Sequence, residues 1–257
     1  MRYRWLSVTA LLLASAAVLA QNPAQPPQPA PAPGAPNSAL DQILVGWEQA
    51  MGSITSLHVL VEKTTVDKTF ATTDVFRGEA KYVKPNKMLL WLVNAKKNED
   101  FEKIVCNGQT AYQWDASKKE IGVITLPPAK EGQVSDENFV SMLFGMKAVE
   151  AKRRYNLALL PQPNPKDPVI YYYIQVVPLQ RSDKSEFTQA RLVLNARTLL
   201  PREIWFELPN GNETKWDFQK TAVNPQLNLN EFNQPQPGPG WQLKKMAPQT
   251  GTVRAQQ

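Results

Sequence analysis

From Leu57 onward the hydrophobic period of this chain is two. Leu57, Val59 and Val61 alternate with polar neighbours, and a β-branched stretch continues through Thr64, Thr65 and Val66. A period of two sends successive side chains to opposite faces of an extended strand, so this region can only build sheet. Similar short runs follow at 75–83, 87–93, 101–106, 110–114 and 121–126, and again at 155–160, 170–177, 187–194, 200–208 and 213–223. Asn107-Gly108 and Asn210-Gly211 sit between neighbouring runs, and Asn-Gly is the dipeptide of tight hairpins. The expected class is mainly β (α+β), with about ten strands in a mostly antiparallel meander. A sheet that long tends to curl or close.

Two segments depart from this period. Leu40, Ile43, Leu44, Trp47 and Met51 recur at helical intervals behind Ser38 and Asp41, which have capping-box-like spacing, and the helix is expected to end near Gly52. In the middle, Asp136 can cap a helix with the face Phe139, Met142, Leu143 and Met146, and 148–154 reads as a second short helix. Helices with one apolar face must pack on something, and the neighbouring material is sheet.

The ends of the chain read as export and tether. Arg2 and Arg4 precede an apolar run from Leu6 to Leu19, and Val18-Leu19-Ala20 ends in a small residue, the order that export machinery recognises. A retained N-terminal anchor is the alternative, but the run is short of the roughly 20 apolar residues of a spanning helix. Residues 1–20 are therefore expected to be a signal peptide. Residues 21–37, rich in Pro, Ala and Gln, form a linker, and 246–257 a disordered tail. The domain is 38–245, the protein is periplasmic or secreted, and it is not integral to the membrane.

Chemistry finds few carriers. Cys106 is the only cysteine and His58 the only histidine, so an intramolecular disulfide is impossible and an ordinary zinc ligand set has no natural members. No G-x-S-x-G elbow or glycine-rich phosphate loop is present. Glu99, Asp100 and Glu102 read as a solvated charge run. The expectation is no catalytic residue, no metal and no cofactor. The formal charge is +6, Arg2 and Arg4 included, and is spread without a basic stripe. That favours anionic surfaces and does not argue for nucleic acid.

Several strands are apolar on both faces. Ile170, Tyr172, Ile174 and Val176 oppose Tyr171, Tyr173 and Val177, while Ile204 and Phe206 share a face and Trp205 points away. A second apolar face requires another layer, a partner or a ligand cavity. Ile204 and Phe206 are accordingly candidate cavity residues.

The order of motifs resembles a family. Arg77-Gly78-Glu79-Ala80-Lys81-Tyr82-Val83-Lys84-Pro85-Asn86, followed by Met88 to Trp91, resembles a stretch of the LolA/LolB-like periplasmic lipoprotein carriers. Ile104-Val105-Cys106-Asn107-Gly108 continues it, as do Leu200-Pro201-Arg202, Asn210-Gly211, and Phe232 with prolines before Gly240-Trp241. Phe144-Gly145-Met146-Lys147-Ala148, Lys152-Arg153-Arg154-Tyr155 and Pro239-Gly240-Trp241 are similar to an uncharacterised secreted planctomycete domain. The resemblance implies an incomplete antiparallel β-barrel covered by helices, with a monomeric carrier holding lipid or an acylated protein. It places Met88, Leu90 and Ile104 on cavity strands and Phe139, Met142 and Leu143 on a lid helix. Lys84 falls where the carriers have an arginine that contacts the lid, and lysine lacks the planar fork of that residue. An envelope protein is the alternative partner, for a module without a small ligand.

Overall fold

The computed structural model describes residues 39–126, 147–164 and 166–246. Helix α1 (Ala39–Gly52) buries Ile43, Leu44, Trp47 and Met51, the stripe that its spacing predicts. Its last turn carries no basic residue of its own. Lys84 supplies that charge from outside, donating its Nζ to the Gly52 carbonyl at 2.5 Å, where a cation complements the helix dipole. At the other end Asp41 accepts from Lys152 of α2 (Ala148–Arg154) at 2.5 Å.

Twelve strands form one sheet: β1 (Ser56–Asp67), β2 (Thr72–Val83), β3 (Lys87–Asn94), β4 (Phe101–Asn107), β5 (Thr110–Asp115), β6 (Glu120–Thr125), β7 (Tyr155–Leu160), β8 (Tyr171–Pro178), β9 (Gln189–Asn195), β10 (Pro201–Glu207), β11 (Glu213–Val223) and β12 (Gln242–Lys245). The order is β12-β6-β5-β4-β3-β2-β1-β11-β10-β9-β8-β7, so two meanders join where β1 pairs with β11. Every pairing is antiparallel except β12 on β6. The edges β12 and β7 do not meet, which makes this an open, curled sheet, an incomplete barrel. Register shifts at Leu60/Val61 and Pro201/Glu203 bend it locally. Eleven of the twelve match the runs named from the sequence; β12 does not, because it follows a Pro/Gly-rich stretch and has only Leu243 as an apolar signal. A short helix α3 (Arg181–Lys184) and a 3-10 turn at Leu229–Phe232 were also absent from the pattern. Asp183 of α3 holds Arg154 of α2 through bonds of 2.6 and 3.2 Å, both side chains buried.

The register sorts side chains into two faces. Leu57, Val59, Val61 and Lys63 of β1 stand opposite Tyr82, Ala80, Gly78 and Phe76 of β2, and these opposite Met88, Leu90, Leu92 and Asn94 of β3. This is the inner face. Over β1 and β8–β10 it packs on α1 in the main core, with Ile174, Leu194 and Ile204 fully buried. On the outer face Leu89, Val105, Tyr112 and Ile121 pack under Phe232, Leu227 and Trp241 of the C-terminal segment. At Gly78 the strands β2 and β3 approach closely: a Cβ there would overlap the Trp91 carbonyl oxygen.

Candidate functional site

The inner face of β3 and β4 carries the residues of interest. Met88 pairs with Cys106 and Leu90 with Ile104, and Met88, Leu90 and Ile104 are all half-buried. Leu92, next along the same face, is sealed with Val61 and Phe76. The strip is therefore apolar and incompletely covered, as are Val59, Ala80 and Phe218 on the same face, whereas Val61, Phe76 and Leu92 are closed. Ile204 and Phe206 lie on the same face across the sheet. Ile204 is fully buried beneath α1, whereas Phe206 is half-buried and stands edge-on to Phe187 at 5.7 Å. Phe139, Met142 and Leu143 lie outside the described residues.

Beyond Leu92 the inner face turns polar. Lys63 is buried with its Nζ 2.6 Å from Glu102 Oε1. The same ammonium lies 5.1 Å from the Trp216 ring and 5.9 Å from Phe76, a desolvated setting for cation–π contact. Asn94, buried beside it in register, donates to Asp100 at 2.8 Å. Glu102 and Asp100 thus each accept from a buried donor, although Asp100, like Glu99, is itself exposed to solvent. Lys63 carries no signal of its own in the sequence beyond its parity with Leu57, Val59 and Val61, which puts it on the apolar face.

The titratable groups suggested by composition are engaged elsewhere. His58 meets Glu79 at 2.7 Å on the outer face, and Lys81 bridges Glu79 and Glu231. Burial works to raise the Glu79 carboxyl, but hydrogen bonds from Lys81 and His58 outweigh it and hold the group below the usual range. Cys106 Sγ is 3.3 Å from the Asn86 carbonyl, and burial pushes its thiol up. Among the described residues no three His, Cys, Asp or Glu side chains gather as a metal site. No helix among them is long and apolar enough to cross a membrane.

No protein-family model and no curated protein matches the sequence. Among solved structures, an uncharacterised conserved protein from Thermus thermophilus superposes with a TM-score of 0.50 at 8% identity, covering 81% of this chain and 100% of that one. The likeness is one of fold. A LolA-superfamily protein from Nitrosomonas europaea aligns more loosely, with a TM-score of 0.36 at 13% identity over 76% of this chain and 97% of that one. The lipoprotein LppX of Mycobacterium tuberculosis gives 0.41 at 11% identity over 74% and 98%.

Proposed function

We propose that this is an exported, non-catalytic binding protein that holds an apolar ligand on the inner face of its half-barrel. The ligand is a lipid, an acyl chain or the acylated end of a lipoprotein, and the working compartment is the periplasm or the exterior. The observation that supports the reading is the half-buried apolar strip Met88, Leu90 and Ile104 on the inner face of a curled sheet. Burying acyl carbon there supplies about 0.8 kcal/mol per CH₂. A chain of about 16 carbons thus offers roughly 10 kcal/mol before ordering costs. In this reading Phe206 extends the strip, and Ile204 joins it only where α1 moves aside. Phe139, Met142 and Leu143 provide the facing wall, and Lys84 tethers α1 at the position of the carriers' lid-contacting arginine. The motif likenesses to the lipoprotein carriers and to the secreted planctomycete domain support the same assignment.

A second reading, an envelope interaction module with no small ligand, draws on the completeness of packing under α1, where Ile174, Leu194 and Ile204 are fully buried. Uptake of a fluorescent fatty-acyl probe separates the two. The wild-type protein is expected to take up the probe, and Leu90→Glu to lose it while melting at an unchanged temperature. Equal uptake by wild type and Leu90→Glu sinks the assignment of the strip, and no uptake by either moves the reading to the interaction module.

A further inference from the structure

We propose that the outer face of β3–β6 and β12 docks on an anionic lipid bilayer through a patch built around Trp91, Lys103 and Trp114. The argument is independent of what the inner face binds. Lys103 stands between two indoles, its Nζ 4.9 Å from the Trp91 ring and 4.8 Å from the Trp114 ring. Trp91 pairs in register with Lys103, Trp114 with Ile121, and Ile121 with Leu243. A row of Trp, Lys, Trp, Ile and Leu therefore crosses five adjacent strands. Ile121 is sealed under the C-terminal segment, but the ends of the row are open, with Trp91 47% and Leu243 39% exposed.

Charge on this face has one sign. Strand alternation sends Glu102, Asp115 and Glu120 to the inner side, so these five strands turn outward Lys87, Lys103 and Lys245 and no carboxylate. None of the three lysines forms an ion pair among the described residues. In the covering segment Glu231 is neutralised by Lys81. An open indole beside an unneutralised ammonium suits the headgroup layer of a bilayer, where indoles rest at the interface and lysine stems lie along apolar surface while their heads meet lipid anions.

The experiment uses the exported, processed protein and vesicles of phosphatidylcholine with or without phosphatidylglycerol. The protein is expected to sediment with the anionic vesicles and not with phosphatidylcholine alone. Its tryptophan emission shifts to the blue on binding, and Trp91→Ala diminishes that shift. Lys103→Met weakens binding about fivefold, and Lys103→Arg restores it, which shows that charge rather than folding is at stake. Absence of binding to the anionic vesicles overturns the proposal. So does binding unchanged in both Trp91→Ala and Lys103→Met, or retention on a protein or polysaccharide without any on vesicles. Leu90→Glu leaves vesicle docking intact, so failure of the acyl-ligand reading and failure of this one are distinguishable.

Discussion

Lys63 on β1 and Glu102 on β4 meet at 2.6 Å across the inner face, with β2 and β3 between them. In a flat sheet those strands lie about 14 Å apart, and their side chains stand perpendicular to it. The pair closes because the sheet curls toward this face. Glu102→Gln leaves a dehydrated ammonium without its partner and is expected to cost about 3 kcal/mol, the order observed when one member of a buried pair is removed. Lys63→Met leaves a carboxylate that is 32% exposed and costs less, about 1 kcal/mol. The double variant is expected to be more stable than Glu102→Gln alone. Urea denaturation of all four proteins gives the coupling, and simple additivity would show that the strut has no energetic role.

Gly78 and Gly52 make a matched comparison. A methyl at Gly78 meets backbone, the Trp91 carbonyl, which cannot rotate away. Gly78→Ala is expected to lose about 3 kcal/mol or more through displacement of β2 from β3. At Gly52 nothing lies within 4 Å of the added carbon, so Gly52→Ala is expected to change stability by less than about 1 kcal/mol. Thermal melts of the two variants check both, and equal melting temperatures would refute the close approach.

Tyr155 links stability to alkaline pH. Its ring is buried and stacks beside Phe187 at 6.0 Å, and burial pushes its phenol from 10.0 up to about 12. Below pH 10 the phenol is neutral in the folded and the unfolded chain, and its contribution is fully present. As pH rises toward about 12 the unfolded chain ionises first, so roughly 2 to 3 kcal/mol is lost. Urea midpoints across this window are expected to fall more steeply for wild type than for Tyr155→Phe.

Cys106 is expected to be inert in the native protein. It is buried, and its thiol is pushed up by that burial, so little thiolate forms at neutral pH. A colourimetric thiol reagent should react only on unfolding, with a rate that follows denaturant concentration. Rapid reaction of the native protein would place Cys106 at an accessible surface instead.

Sequence pattern alone reached far into this protein. The intervals of Ile43, Leu44, Trp47 and Met51 defined the buried stripe of α1. Asn107-Gly108 located a hairpin in which Gly108 takes a φ of 101° and the Asn107 side chain accepts from Gln109 and Thr110. Alternation put Met88 and Leu90 on one side of their strand, whereas Ile104 was grouped with them only through the family resemblance, and the β3–β4 register brings the three to one face. These features are local: a period and a turn depend on neighbours a few residues apart.

Tertiary structure alone decided which face became the inside and what closed it. A period of two separates two sets of side chains but does not say which set the sheet curls around. Pairing of β1 with β11, about 150 residues apart in sequence, leaves no local trace. Nor does the addition of β12 beside β6, or the covering of Tyr112 and Ile121 by Phe232. Lys63 and Glu102 show the difference most sharply. As neighbours in sequence they are a polar residue among β-branched ones and one acid in a charged turn, and only a curled sheet makes them partners.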